Sequence, residues 1–313
     1  RPLAVGVDLG GTTIKTGLVT TTGDILYQNS FDTQAQDGPG AVIRQIGLSV
    51  HDALEHAAGG SVTGIGIGSP GQVDDRGVVK APPNFKDFHA VPLSSEIESM
   101  FSIPTKVEND ANAAAIAEGR FGAGKPFADF LFVIWGTGVG GGIIMNHRIF
   151  RGPTGGAGEI GHISIDHRGA QCNCGSVGCV EAYVGQRYLS ERTAEKLKTN
   201  PGSKILDLVG GDLNRIEPLY ISRAAEAGDP LAREILEEAG AMLGVAIGAV
   251  MNTLDFRISI IGGGVSSVGV FVFDAITESV RSHVMKPMRP DIRVLRAQLG
   301  NTAGILGAAG LVL

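Results

Sequence analysis

Two segments of the chain share a pattern of strand, glycine turn and strand, and this repeat constrains the fold most. In the first, residues 3–7 and 16–19 flank the turn Asp8-Leu9-Gly10-Gly11-Thr12-Thr13-Ile14-Lys15. In the second, residues 130–135 and 143–146 flank a turn of five glycines that begins at Gly136. Apolar runs bounded by glycine are typical of strands. The repeat is what an internal duplication of one α/β unit would produce.

The rest of the chain alternates further strands with amphipathic helices. Apolar positions recur every three to four residues over 41–58, a spacing that predicts a helix. Other strands are predicted at 25–28, 62–68, 104–108 and 257–261, and other helices at 111–120, 184–198, 219–227, 230–252, 270–284 and 302–311. A chain of 313 residues exceeds what one hydrophobic core usually supports, so we expect two domains with a cleft between them.

The paired glycine turns are typical of a phosphate site. Backbone N–H groups in such turns can point at phosphate oxygens, and glycine lets the backbone approach closely. Asp8 offers a hard oxygen ligand for Mg²⁺, Thr12 and Thr137 offer hydroxyl donors, and Lys15 offers a charge. One such turn alone is also compatible with an ordinary hairpin. The second turn, and the glycines 262–264 after the strand at 257–261, favour a nucleotide site in which two hairpins face each other.

Two better-known glycine motifs do not fit their contexts. Gly136, Gly138 and Gly141 satisfy the dinucleotide pattern G-x-G-x-x-G, but a strand rather than a helix is predicted to follow. Gly119, Gly124 and Lys125 approach the P-loop pattern, but Pro126 stands where the magnesium-binding hydroxyl should be. The sequence therefore argues against both the Rossmann and the P-loop interpretations.

All three cysteines lie within eight residues, at Cys172, Cys174 and Cys179, and His162 lies ten residues upstream. Three thiolates and one imidazole form a closed tetrahedral shell, which is typical of structural zinc. The alternatives are unpaired core thiols, or one disulfide and an odd cysteine. A disulfide framework is normally found in short secreted chains, so we favour a zinc site.

Asp110 stands where a predicted strand passes into a predicted helix. The helix dipole there favours an ionised carboxylate, which could accept the proton of an attacking hydroxyl. Asp110 or Asn109 could equally serve only as the helix cap. Position alone leaves both interpretations open.

Together these motifs resemble the ROK family of sugar kinases and sugar-responsive repressors, over essentially the whole chain. The resemblance rests on Asp8-Leu-Gly-Gly-Thr-Thr, Glu108-Asn-Asp-Ala-Asn, Trp135-Gly-Thr-Gly-Val-Gly-Gly-Gly, Gly158-Glu-Ile-Gly-His and the element from Cys172 to Glu181. Within the family the chain looks like the glucokinase branch. That implies an α/β, actin-like ATPase (ribonuclease H-like) fold with two α/β domains around a cleft and a structural zinc knuckle. We place the small domain at 1–112 plus 302–313 and the large domain at 113–301.

The resemblance also implies roles for individual residues. Asp110 would be the general base, and His162 would bind both zinc and a sugar hydroxyl. The implied sugar contacts are Gly71, Asn84, Asn109, Asp110, Glu159, His162 and Glu181. The implied ATP and Mg²⁺ site comprises Asp8, Gly10, Gly11, Thr12, Thr13, Lys15, Gly136, Thr137, Gly138 and Gly263. The zinc ligands would be His162, Cys172, Cys174 and Cys179.

The implied activity is phosphorylation of a hexose 6-hydroxyl by ATP, with glucose as the expected sugar and a homodimer or dimer of dimers as the assembly. Many glucokinases have Asn-Leu-Pro-Gly-Trp where this chain has Asn84-Phe-Lys-Asp-Phe88, near the sugar. An N-acetylmannosamine or N-acetylglucosamine kinase is therefore an alternative. A sugar-sensing repressor that does not phosphorylate is the alternative from another class.

Charge and hydropathy bear on partners and location. The net charge of -6 provides no basic surface for nucleic acid. The longest apolar stretch, residues 239–254, is shorter than a membrane span and predicts a buried helix. Without a leader and with reduced thiols, the expected location is the cytoplasm.

Overall fold

The computed structural model describes residues 2–264 and 269–313. The strands are β1 (Pro2–Leu9), β2 (Thr13–Thr20), β3 (Ile25–Asp32), β4 (Ser61–Ser69), β5 (Gln72–Val73), β6 (Val79–Lys80), β7 (Ala90–Val91), β8 (Thr105–Asn109), β9 (Phe130–Trp135), β10 (Val139–Met145), β11 (Arg148–Phe150), β12 (Ile258–Gly262) and β13 (Arg293–Arg296). The helices are α1 (Pro39–Glu55), α2 (Leu93–Phe101), α3 (Asp110–Phe121), α4 (Glu181–Val184), α5 (Gln186–Leu197), α6 (Lys204–Leu208), α7 (Pro218–Glu226), α8 (Pro230–Leu254), α9 (Val270–His283) and α10 (Ala303–Gly310).

The chain divides into two compact units. The first comprises Arg1–Asp129, Gly142–Gly158 and Gln298–Leu313, and the second comprises Phe130–Gly141 and Glu159–Ala297. The sequence-based boundaries assigned all of residues 113–301 to the large domain, whereas here residues 113–129, 142–158 and 298–301 lie in the first unit. The physical reason is that α3 packs closely on α10, where a β-carbon at Gly307 would collide with the Ala113 carbonyl.

A five-stranded sheet with the order β3-β2-β1-β4-β8 forms the centre of the first unit. β1 pairs antiparallel with β2 and parallel with β4, and β3 and β8 are the two edge strands. Valine, isoleucine and leucine from these strands form a fully buried core with α1 and α2. Glycines within β1 and β4 are needed for packing, because β-carbons at Gly6 and Gly66 would collide with carbonyl oxygens of α10. Part of the glycine content thus serves helix packing, not ligand loops.

In the second unit, β12 lies between β9 and β13 and is parallel to both. The long helix α8 begins at the cap Asp229, whose carboxylate accepts from the Ala232 N–H at 2.9 Å. It packs on α9 through small residues, as where Gly244 faces Ser279. Among the described residues, no helix has the length and apolarity needed to cross a membrane.

The structure confirms the elements predicted around the two glycine motifs that resemble the dinucleotide and P-loop patterns. A strand, β10, follows the glycines at 136–138, and the helix α3 leads into the glycines at 119–124. Neither segment has the strand-to-helix arrangement that a Rossmann or P-loop nucleotide site requires.

Candidate functional site

The three cysteines and His162 form a compact cluster within the second unit. Their ligand atoms all lie within 4.8 Å of one another, and the cysteines form no disulfide. The Cys172 Sγ lies 3.8 Å from the His162 Nδ1, and the Cys174 Sγ lies 3.7 Å from the Cys179 Sγ. Zinc–sulfur bonds of ~2.3 Å in a tetrahedron separate two sulfurs by roughly 3.8 Å. The cluster therefore has the spacing of a zinc site.

Local backbone geometry explains how a short segment supplies three ligands. Gly175 and Gly178 have φ values of 92° and 76°, which residues with a β-carbon rarely adopt. The Gly175 N–H donates to the Cys172 carbonyl at 3.0 Å and closes a tight turn. Without a metal, burial raises the pKa of the Cys179 thiol to about 12, whereas a hydrogen bond from the Ser176 N–H lowers the pKa of Cys174. A bound zinc ion would hold all three sulfurs as thiolates.

Beside the cluster, His162 and Glu159 present polar atoms to solvent. The His162 Nε2 lies 3.9 Å from the Glu159 Oε2, while the Nδ1 faces the cysteines. The Glu159 side chain is 65% exposed, so its carboxylate is accessible to a ligand. This division between the two ring nitrogens fits the double role implied for His162, since a metal-bound imidazole commonly uses its second nitrogen for a hydrogen bond.

Glu181 connects the cluster segment to the second glycine turn. It is the first residue of α4, and its Oε2 accepts from the Val139 N–H at 2.9 Å. A β-carbon at Gly138 would contact this carboxylate at 2.5 Å. A larger residue at position 138 would therefore displace the Glu181 carboxylate. Glu181 was predicted to contact the sugar, and the structure shows in addition that it holds this turn.

The other predicted residues of the second turn lie around the end of β9. The Gly136 N–H donates to the Gly138 carbonyl at 3.0 Å, and Thr137 is exposed at the tip. Gly263 follows β12 with a φ of 92°, and a β-carbon there would collide with the Trp135 carbonyl. Gly263 and the turn therefore lie side by side in the second unit.

The first turn places Asp8 at the end of β1, opposite Lys15 on β2. The Gly10 N–H donates to the Thr13 carbonyl at 3.0 Å, and Gly11 and Thr12 are exposed at the tip. A β-carbon at Gly10 would lie 2.8 Å from that carbonyl, whereas one at Gly11 would meet nothing within 4 Å. Gly10 thus closes the turn, and Gly11 borders open space that a phosphate group could enter.

Burial raises the pKa of Asp8 above its ordinary value, and the Lys15 charge offsets part of that shift. Gly304, at the start of α10, leaves room for the carboxylate because a β-carbon there would collide with it. Gly304 is a supporting residue that sequence reasoning missed, and only its position at a helix start could have indicated it. A partly buried carboxylate whose desolvation is only partly offset by a lysine is suited to a divalent cation.

Of the two residues that could cap α3, the structure gives the cap to Asn109. The Asn109 Oδ1 caps α3, accepting from the N–H groups of Ala111 and Asn112 at 3.0 and 3.2 Å. Its Nδ2 donates to the Gly71 carbonyl at 3.0 Å. The Asp110 Oδ1 accepts from the Ala111 N–H at 2.8 Å, and the side chain is exposed at the first turn of the helix. Asn109, Asp110 and Gly71 are therefore brought together, with the cap supplied by Asn109.

Asn84 lies on a separate loop of the first unit, with a φ of 68°. Its backbone carbonyl accepts from the Gln36 Nε2 at 2.8 Å. The residue is exposed. Phe85 and Phe88 are buried with ring centroids 5.5 Å apart. The departure from the usual glucokinase sequence thus contributes two core anchors, and Asn84 remains at the surface between them and the solvent.

A buried ion pair behind Asn109 was not predicted. The Glu108 Oε2 lies 2.9 Å from the Arg151 Nε, and its Oε1 accepts from the Asn109 N–H at 2.8 Å and the Asn112 Nδ2 at 3.1 Å. The Glu108 side chain is only 4% exposed. The sequence offered no local signal for this pair, because Glu108 lies in a polar strand and its partner is 43 positions away.

Comparison with known proteins matches residues 4–313 to the ROK family. The chain belongs to the ROK family. It is 35% identical to a glucokinase of Thermotoga maritima over 309 residues, covering 98% of this chain and 96% of the relative. It is 37% identical to a glucokinase of Streptomyces coelicolor over 313 residues, covering 99% and 97%.

Among solved structures, the ROK family glucokinase from Streptomyces griseus in complex with glucose and AMPPNP is similar, with a TM-score of 0.84 and 38% identity. The match covers 99% of each chain. The likeness confirms the predicted actin-like ATPase fold of mixed α/β structure, and the Cys₃His cluster accompanies it.

Proposed function

We propose that the protein is an ATP-dependent hexokinase of glucokinase type that phosphorylates the 6-hydroxyl of glucose. The main structural support for this proposal is the geometry at the start of α3. Asn109 already caps the helix, so the exposed Asp110 carboxylate is not required for capping. Support comes from relatives of 35% and 37% identity that bear the name glucokinase, and from the likeness to a structure holding glucose and AMPPNP.

In the proposed reaction, the Asp110 carboxylate accepts the proton of the sugar 6-hydroxyl as that oxygen attacks the γ-phosphorus of ATP. The bond from the γ-phosphorus to the bridging β,γ-oxygen breaks, and ADP leaves with the electron pair. Phosphoryl transfer needs little covalent help from the protein, so alignment and charge neutralisation supply most of the catalysis. The N-terminal end of α3 favours the ionised form of the base.

The two glycine turns are the proposed nucleotide contacts, through Gly10, Gly11, Thr12, Thr13 and Lys15 and through Gly136, Thr137, Gly138 and Gly263. Asp8 is the proposed Mg²⁺ residue, directly or through water. The metal, when bound, would neutralise phosphate charge. The proposed sugar contacts are Gly71, Asn84, Asn109, Asp110, Glu159, His162 and Glu181. Zinc, held by His162, Cys172, Cys174 and Cys179, would shape the segment that carries His162 and Glu181.

Steady-state kinetics across four sugars, with ATP as the donor and ADP release as the signal, tests the proposal. Glucose should have the highest kcat/KM when compared with mannose, N-acetylglucosamine and N-acetylmannosamine. A higher kcat/KM for an acetamido sugar would support the alternative kinase, because its pocket must accommodate a group at the 2-position. Absence of turnover with every hexose would refute both. The homodimer and the cytoplasmic location stay predictions, to be tested by sedimentation and by cell fractionation.

A further inference from the structure

The first unit contains a cavity of about 1130 Å³ that includes none of the residues proposed for sugar, nucleotide or metal. It lies beside the edge strand β8 and is bordered by α3, the end of α10 and the hairpin of β10 and β11. Its volume slightly exceeds the usual range of small-molecule sites, about 300 to 1000 Å³. The cavity is therefore large enough for a whole metabolite.

The lining is strongly cationic although the chain as a whole is acidic. Its charged and imidazole side chains are Arg76, Lys106, Arg120, His147, Arg148 and Arg151, against the carboxylates of Asp75 and Glu108. The lining thus has five permanent cations and only two carboxylates, while the whole protein carries a net charge of -6. Concentrated positive charge in a concave site raises the local concentration of anions.

Two of these cations are already occupied by carboxylates. Arg151 pairs with the buried Glu108, and Arg76 lies 3.4 Å from Asp74. Drawing Arg151 away would leave the charge of Glu108 buried without its partner, which is costly. Arg151 is therefore a fixed positive wall rather than a group that a ligand displaces.

Three cations line the cavity without pairing with an Asp or Glu side chain anywhere in residues 2–264 and 269–313. The Lys106 Nζ donates to the Leu311 carbonyl at 3.0 Å, and Arg120 donates to the carbonyls of Gly310 and Leu313. Arg148 is exposed, and its guanidinium takes part in no hydrogen bond within the same residues. The bond of Lys106 to a neutral carbonyl is weaker than a charge-assisted bond to phosphate, and Arg148 has no bond in those residues to give up, so these two groups in particular can turn towards an anion.

Part of the cavity wall is apolar. Ile144 and Ile149 are paired across the β10–β11 hairpin, and Val107, Ile116 and Phe127 extend the surface. A bare inorganic anion would leave this wall without a partner. A cationic rim beside an apolar wall fits a molecule with both phosphate groups and an organic body.

We propose that this cavity is a second ligand site of the protein, one that binds an organic phosphate through Lys106, Arg120 and Arg148. Guanidinium groups match phosphate oxygens with two parallel hydrogen bonds, and the lysine adds a point charge. A sugar bisphosphate and a nucleotide share this chemistry. The site does not depend on which sugar the kinase phosphorylates.

Isothermal titration calorimetry of the full chain with two separate probes, fructose 1,6-bisphosphate and AMPPNP, tests the site. Arg148→Ala and Lys106→Ala remove cavity cations without touching the Glu108–Arg151 pair. Arg44→Ala is the matched control, because Arg44 is an exposed arginine of the same unit that does not line the cavity. The midpoint of thermal unfolding of each variant verifies that it is folded.

The expected result is binding of one probe that weakens roughly tenfold or more in each cavity variant, as loss of a charged hydrogen bond implies, and is unchanged in Arg44→Ala. A cavity-dependent signal with fructose 1,6-bisphosphate identifies sugar phosphates as the ligand class. A second equivalent of AMPPNP that Arg148→Ala abolishes identifies nucleotides. Higher salt should weaken either signal, because the rim is exposed.

Binding of both probes that is unchanged in Arg148→Ala and Lys106→Ala, or absence of any cavity-dependent binding, would overturn the proposal. So would sedimentation showing that Arg148→Ala separates copies of the chain while leaving phosphate binding intact. In that case the cavity is an interface between copies.

Discussion

At the residue scale, the division of roles between Asn109 and Asp110 decides how the candidate site works. An asparagine amide can cap a helix with its oxygen and still donate through its nitrogen, as Asn109 does to Gly71. The aspartate at the next position then keeps a carboxylate at the surface. The Glu108 carboxylate behind the cap holds the Asn109 N–H, so the segment is fixed from two sides.

Replacement of Asp110 by asparagine should lower kcat by roughly 100- to 10,000-fold, because the variant cannot accept a proton. The KM for glucose should change much less, since the amide retains a hydrogen-bonding group. ADP release in steady state measures both values. Asp37→Asn, at an exposed carboxylate of the same unit, is the control and should behave as wild type. Retention of full turnover by Asp110→Asn would show that the base lies elsewhere.

Asp8→Asn should lower turnover with MgATP but raise the unfolding midpoint at neutral pH. Because the pKa of Asp8 is raised in the folded protein, the folded state binds its proton more tightly than the unfolded state does. The contribution of Asp8 to the free energy of unfolding therefore decreases as the pH rises from its ordinary, unfolded-state pKa to its raised, folded-state pKa. Above the folded-state pKa, this contribution is unfavourable. Scanning calorimetry of the metal-free protein at pH 7 and below the unfolded-state pKa measures the difference.

The raised pKa of Asp8 also bears on MgATP binding. As the pH is lowered, Asp8 should become protonated, and MgATP binding should weaken, at a higher pH than for an aspartate with an ordinary pKa. Asp37→Asn again controls for a general change of charge. A lower unfolding midpoint for Asp8→Asn at pH 7 would contradict the assigned cost of burying this carboxylate.

At the scale of elements, the two glycines of the first turn allow its effect on stability to be tested separately from its effect on ATP binding. Gly10→Ala should destabilise the protein by about 1 to 3 kcal/mol, because the new methyl group would crowd the Thr13 carbonyl. Gly11→Ala should leave the unfolding free energy nearly unchanged, because its β-carbon meets no protein atom within 4 Å. If phosphate enters that space, Gly11→Ala should raise the KM for ATP and leave the KM for glucose unchanged. Denaturant unfolding and two-substrate kinetics test the pair, and an unchanged KM for ATP would remove Gly11 from the proposed nucleotide site.

The proposed zinc knuckle, residues 159–181, is the second element whose role can be tested separately. Cys174→Ser removes the exposed ligand and should disorder residues 159–181, which carry Glu159, His162 and Glu181. Sugar affinity should then fall several-fold more than ATP affinity, as measured by titration of each ligand. Wild-type protein stripped of zinc and then reloaded is the control for irreversible damage. Equal losses of both affinities would indicate that the metal stabilises the whole fold.

At the scale of the whole molecule, the Cys₃His cluster proposed to bind zinc lies entirely in the second unit, whereas Asp8, Asn109 and Asp110 lie in the first. Removal of zinc by a chelator should therefore increase amide hydrogen exchange around residues 159–181 and leave β1, β4 and β8 protected. Local openings of this kind are typical of segments that depend on a metal or a few contacts. Hydrogen exchange with mass spectrometry measures it, and uniform loss of protection in both units would show a single cooperative structure.

Much of this protein follows from local sequence. β9 has its predicted bounds, and α1, α3, α8, α9 and α10 begin within two residues of prediction, because apolar periodicity and glycine punctuation are local signals. The Cys₃His set was also evident, since four soft ligands within 18 residues leave few alternatives. The short strands β5 to β7 and the helix α2 were not predicted, because segments of two to nine residues carry little periodicity.

Only the tertiary structure decided which roles these residues take. The helix cap by Asn109 depends on the direction of its side chain, which also contacts Gly71; the role of Asp110 as the base stays a prediction. The partners Glu108 and Arg151, the room that Gly304 leaves for Asp8, and the cationic cavity beside β8 each join residues distant in the chain. Spacing along a sequence determines which side chains share a face of one element. It cannot determine which elements meet, because that depends on how the whole core packs.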